Sequence, residues 1–237
     1  MKNQYFGDIN DYRKYGILRA LQAGSGLPLA VCWMLTPDDE GSDGRKVEYL
    51  SNPDRWRHYD PEVYDALQTA LLDNTRSIEA AERSFLSSAV SHPDIVGHRL
   101  AERCRFFTRL LERISGPSLV FLDPDNGMEV KSKPAGLRGA EKYLYWKELE
   151  DVYRVEHSCL IYQHFPRLPR EAYKQYCVRE VAVRLGAPWV ATLVTSHVLF
   201  LLAPQEPHAD RLEAGLRLVR TAWKNEVRVQ LHHQPVA

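Results

Sequence analysis

Apolar residues recur along this chain in two rhythms. Leu119-Val120-Phe121-Leu122 and Cys159-Leu160-Ile161-Tyr162 are continuous runs, as expected of strands buried on both faces. Residues 29–35 read the same way. Elsewhere the spacing becomes three and four, at Val63, Leu67, Ala70 and Leu71 and again at Leu100, Cys104, Phe107, Leu110 and Leu111. An opening helix capped by Asp8 or Asn10 carries Tyr12, Ile17, Leu18 and Leu21 and stops at Gly24-Ser25-Gly26. Residues 46–50 read as a short extended piece, and 60–114 as a helical block. Helices follow around 146–155 and over Arg170–Leu185, with a strand at Ser158–His164 between them. Residues 189–195 and 198–203 alternate around Ser196-His197 as an antiparallel hairpin. A last helix places Leu212, Leu216, Val219 and Trp223 on one face, before a strand at 227–231. Helices alternating with buried strands predict one α/β domain over 1–237, with a doubly wound, mostly parallel, Rossmann-like sheet and a helical insertion at 52–115.

Composition narrows the function classes. With 237 residues, 44% hydrophobic and 26% charged, the chain has the make-up of a soluble globular protein. No run reaches membrane-spanning length, so no membrane partner and a cytoplasmic location are expected. Lys plus Arg and Asp plus Glu each number 31, which removes any global steering toward nucleic acid and leaves only a local basic face. The run Arg99, Arg103, Arg105, Arg109, Arg113 has two readings: a phosphate contact, or ion pairs with the interleaved Glu102 and Glu112. Cys32, Cys104, Cys159 and Cys177 form no CxxC pair and read as buried thiols.

The chemistry concentrates where the central apolar run stops, at Asp123-Pro124-Asp125-Asn126-Gly127. Proline and glycine end the strand, so these polar groups lie at its carboxyl end, the edge where open α/β sheets bind ligands. The next strand delivers Gln163 and His164 to the same edge, and His164 is a candidate general base. Candidate catalytic residues are therefore Asp123, Asp125, Asn126 and His164.

Asp123-Pro124-Asp125-Asn126 after a buried strand resembles the Asp-Pro-Pro-Tyr signature of amino-group methyltransferases. Tyr5-Phe6-Gly7-Asp8-Ile9-Asn10-Asp11-Tyr12-Arg13-Lys14-Tyr15-Gly16 resembles the opening of the bacterial 23S rRNA adenine-N6 methyltransferases of the J type. The order of helix, strand, helical insertion and acidic strand end is also similar, over roughly Tyr5 to His164. A looser similarity links the Asp-Pro-x-Gly loop to the three-Cys-motif partner proteins. The resemblance implies a class I methyltransferase fold, S-adenosylmethionine as cofactor, and a nucleic-acid or nucleotide amine as substrate. It implies that Asp123 accepts from the substrate amine and that Lys14, Trp33, Asp38 and Asp43 lie at the cofactor. The second proline of the signature is Asp125 here and the aromatic is Asn126, so Trp33, Tyr143 or Trp146 would have to supply the stacking ring. The acidic stretch 33–44 stands in place of the family's Gly-x-Gly turn.

That acidic loop supports a second reading. Asp123 and Asp125, joined by Asp38 or Asp43 and His164, could ligate Mg²⁺ or Mn²⁺ for phosphoester cleavage, with Lys131 or Lys142 neutralising a phosphate. A non-catalytic partner protein that kept the sheet and lost the site is the third.

Overall fold

The computed structural model describes residues 1–38 and 44–233. The elements in chain order are α1 (Ile9–Ser25), β1 (Leu29–Cys32), α2 (Pro53–Trp56), α3 (Pro61–Leu72), α4 (Ile78–Arg83), β2 (Val90–His92) and α5 (Leu100–Arg113). Then come β3 (Leu119–Leu122), β4 (Gly127–Met128), β5 (Tyr143–Leu144), α6 (Trp146–Arg154), β6 (Ser158–His164), α7 (Arg170–Leu185), β7 (Trp189–Val194), β8 (Val198–Ala203), α8 (Ala209–Ala222) and β9 (Arg228–His233).

Seven strands form one mixed sheet in the order β2-β1-β3-β6-β8-β7-β9. The first four are parallel neighbours, and the last three pairings are antiparallel. β1 and β3 are buried at every position, which explains their unbroken apolar runs. Side chains alternate between two cores. Leu29, Val31, Leu119, Phe121 and Leu160 meet α1, α3, α4 and α8 on one face. Ala30, Cys32, Val120, Leu122 and Ile161 meet α5, α6 and α7 on the other. The result is an α/β sheet covered on both sides, of the Rossmann-like kind. Among the described residues, no helix is long and apolar enough to cross a membrane.

Local chemistry sets the ends of α1. The Asp8 side chain accepts from the Asn10 amide at 2.7 Å, and Gly26, at φ +61°, closes the helix with an N–H to the Gln22 carbonyl.

Several expectations change. Residues 46–50 are not extended: Glu48–Ser51 is a 3₁₀ turn, because Tyr49 and Leu50 are buried and the Tyr64 hydroxyl donates to the Leu50 carbonyl at 2.7 Å. β1 stops at Cys32, and Met34 turns the chain at φ +45°. The 60–114 block is not wholly helical, since β2 within it adds a parallel edge strand beside β1. His232 and His233 are not a loose tail but pair with Val190 and Trp189. Cys104 is exposed, while the other three cysteines are buried.

Candidate functional site

β3 and β6 end side by side, and α1 begins next to them. Together they enclose a cavity of about 470 Å³ whose lining includes Lys14, Asp123, Asp125, Asn126 and His164. That size is within the range of small-ligand sites.

The floor is a buried charge network. Lys14 Nζ lies 2.7 Å from Asp11 Oδ1 and 2.8 Å from Asp123 Oδ2. Asp11 is three residues before Lys14, on the same face of α1; Asp123 comes from across the sheet. Rings of Tyr162 and Trp33 flank the ammonium at 5.5 and 5.8 Å. Burial works against the charge of Lys14, but the two carboxylates outweigh it and hold the group above the ordinary lysine range. Asp11 shows the converse. Burial is its largest influence and lifts its pKa to about 6, although Lys14 draws it down. Asp125 is paired with the α-ammonium group of Met1 and accepts from the Thr36 hydroxyl. The Asp123 backbone carbonyl also accepts from that α-ammonium, at 3.1 Å.

The loop after β3 is shaped by Gly127, at φ +102°. A Cβ there would meet Gln163 Nε2 at 2.4 Å. Gln163 is itself fixed, accepting from the Met128 amide and donating to the His164 carbonyl, both at 2.7 Å. The first of these bonds ties β4, just after the loop, to the end of β6. His164 is exposed toward the cavity, with Nε2 3.2 Å from the Tyr162 hydroxyl. The protein packed around its imidazole lowers its pKa from the usual 6.5, with Asp123 and Asp125 partly offsetting this, so the ring is neutral at physiological pH.

Among the described residues, the buried Asn10 Oδ1 has no hydrogen-bond partner. Asp123 uses Oδ2 for Lys14.

Not every residue singled out in the sequence joins the site. Trp33 is fully buried beneath it, its indole N–H donating to Glu82 at 2.8 Å and to Ser91 at 3.1 Å, so it touches Lys14 but does not line the cavity. Asp38 is exposed and accepts from the Gln4 amide, away from the cavity. Asp43 lies outside the described residues. Tyr143 and Trp146 do not line the cavity either; Trp146 packs under the Arg184 guanidinium at 4.8 Å. Lys131 is exposed, and neither it nor Lys142 lines the cavity. The aromatic walls are instead Tyr162 and Phe165, with Tyr5. Tyr162 was legible in principle, since it shares the two-residue strand period, and hence a sheet face, with His164. Asn10 carried no sequence signal beyond its place near a helix start.

Asp123 and Asp125, the residues of the metal reading, each face a cation already. Among the described residues no group of three or more His, Cys, Asp or Glu is placed to hold a metal ion. Three arginines of α5 are engaged within the protein. Arg103 is buried and forms a fork on Glu148 at 2.6 and 2.7 Å, while Arg109 and Arg113 pair with Asp94.

The fold and the cavity thus define an open α/β protein with a polar pocket at the carboxyl edge of its parallel strands. No family model matches the sequence, and no curated protein does. Among solved structures it is similar to protein LPL1258 from Legionella pneumophila str. Philadelphia 1, of family-model DUF519. That likeness has a TM-score of 0.50 and 12% identity, over 96% of this chain and 97% of the other. At that identity it speaks for the fold and not for the chemistry.

Proposed function

We propose that the protein is an S-adenosylmethionine-dependent methyltransferase that acts on an amine of a nucleobase or nucleotide. One observation carries this reading: the cavity wall presents a buried acceptor without a donor among the described residues. Asn10 Oδ1 calls for a ligand that brings an N–H group to it. Asp8 and Asp11 line the cavity together with Asn10, and a carboxylate there would complement a cationic methyl donor. When bound, the donor supplies a methyl carbon activated by a sulfonium. Against the family pattern, no glycine-rich turn follows β1; Met34 in the left-handed region makes that turn instead.

The roles then follow from the geometry. Asp123 accepts an N–H of the substrate amine and orients its lone pair, with Lys14 pinning the carboxylate from behind. The Pro124 carbonyl is the neighbouring acceptor on the same loop. Tyr162 and Phe165 offer ring faces for a base, the role that the resemblance gives to the aromatic replaced here by Asn126. The proton that leaves the amine needs an acceptor, and His164, kept neutral, is suited to take it.

Thermal melting with S-adenosylmethionine, and separately with Mg²⁺ or Mn²⁺, tests the reading. The expected result is stabilisation by the methyl donor together with transfer of labelled methyl to a nucleoside amine. Asp123→Asn should abolish transfer while Lys14 keeps its pair with Asp11. A melting response to the metals and none to S-adenosylmethionine would overturn the proposal in favour of phosphoester chemistry.

A further inference from the structure

A second groove, of about 610 Å³, adjoins the cavity and shares Phe165 and Arg170 with it. Its walls carry Arg13, Arg55, Arg170, Lys174, Lys224 and Arg228. Only two carboxylates, Glu171 and Glu226, stand against these six cations. Since the whole chain is neutral, the excess is local.

Internal pairing does not account for it. Lys174 is paired with Glu171 at 2.9 Å, and Arg170 donates to the Ser196 carbonyl at 2.9 Å. Arg55, Lys224 and Arg228 are exposed and have no acidic partner among the described residues. Arg13 is the anchor. Its side chain is only 7% exposed, and Nε and Nη2 grip Glu226, yet among the described residues Nη1 has no acceptor. A buried guanidinium with one edge satisfied and the other unmet is a built half-site for an oxyanion. Arg13 and Arg55 also lie on the Trp56 ring, at 5.6 and 5.2 Å, which fixes where both charges point.

We propose that this groove binds the phosphodiester backbone of a single nucleic-acid strand and leads it to the cavity. The proposal rests on reading the cavity as a methyltransferase site, and it specifies a strand as substrate instead of a free nucleotide. The cavity alone has room for a nucleotide, so a second, larger groove with unpaired cations along it accounts for phosphates beyond the first.

The test is fluorescence anisotropy with a labelled oligouridylate across a salt series. The full chain should bind it, with affinity falling steeply as salt rises. The double variant Arg55→Glu/Lys224→Glu, both exposed positions, should melt like the parent. It should bind at least about tenfold more weakly, with a salt slope shallower by about 1.4 for two lost phosphate contacts on a single strand. Arg13→Lys keeps the charge and loses the fork, and should also weaken binding; if it fails to fold, the surface pair still decides. Unchanged affinity in the double variant overturns the proposal. So does displacement of the oligonucleotide by inorganic phosphate or uridine monophosphate at equal phosphate concentration, which marks a single phosphate subsite. Equal affinity for polyglutamate overturns it in favour of an acidic protein. Strand binding without methyl transfer keeps the groove and fails the methyltransferase reading, whereas methyl transfer to free nucleotides without strand binding does the reverse.

Discussion

Arg13 and Lys14 are consecutive residues of α1, both buried, and they differ in how fully their charges are met. Lys14 turns into the cavity, where Asp11 and Asp123 give it two carboxylates for one ammonium. Arg13 turns into the groove, where Glu226 satisfies one edge of the guanidinium and none of the described residues satisfies the other. In the cavity Lys14 is fully paired and the Asn10 oxygen remains an acceptor without a donor among the described residues; in the groove Glu226 is consumed and a guanidinium N–H of Arg13 remains. The difference teaches which kind of buried charge looks outward. Lys14 organises a surface for donors, and Arg13 is itself a donor waiting for an anion. Neither property follows from burial, which the two share.

The comparison can be broken most forcefully at Lys14. Lys14→Met leaves Asp11 and Asp123 buried without a cation, and is expected to cost about 3–5 kcal/mol in urea unfolding. Combining it with Asp11→Asn and Asp123→Asn should restore much of that loss; full additivity instead would show that the network is not coupled. Next comes the backbone beneath the cavity. Gly127→Ala forces a Cβ into Gln163 from a left-handed φ, and should destabilise by about 1–3 kcal/mol while sparing strand binding in the groove.

A smaller effect sharpens the cavity side through pH. Asp11 has a pKa near 6 in the fold against 3.8 when unfolded, so between those values the folded state holds the extra proton. Its contribution is fully present below about 3.8 and is lost as pH rises through 6. Asp11→Asn should therefore flatten the stability profile over that window, and an unchanged profile would show that Asp11 is not the group titrating. The smallest effect belongs to the groove. Arg55→Glu touches no ion pair among the described residues and should shift stability by less than about 0.5 kcal/mol, in calorimetry, while weakening strand binding.

Much of the architecture was legible from local pattern. The spans Ser158–His164, Arg170–Leu185 and the hairpin around Ser196-His197 match their apolar periods. The misread pieces were short ones. Residues 46–50 show no helical period because one 3₁₀ turn is too brief to display it, and β2 is a three-residue edge strand with a partly polar face. Of the cavity, Asp123, Asp125, Asn126, His164 and Lys14 were visible as strand ends or motif positions, and Tyr162 follows from the strand period it shares with His164, whereas Phe165 was not visible. Of the arginine run, the ion-pairing alternative holds for Arg103, Arg109 and Arg113, which are spent on Glu148 and Asp94, while the groove's cations without an acidic partner among the described residues, Arg55, Lys224 and Arg228, come from α2, the stretch after α8 and β9.

The sequence by itself determined the alternation of helices and strands, the buried runs of β1 and β3, and the polar stop at Asp123, because hydrophobic period and turn chemistry are properties of near neighbours. The tertiary structure alone decided which charges are satisfied. Lys14 meets Asp123 across 109 positions, and Arg13 meets Glu226 across 213. Electrostatic energy depends on distance and local dielectric, and a chain with equal numbers of acids and bases carries no trace of where either remains unpaired.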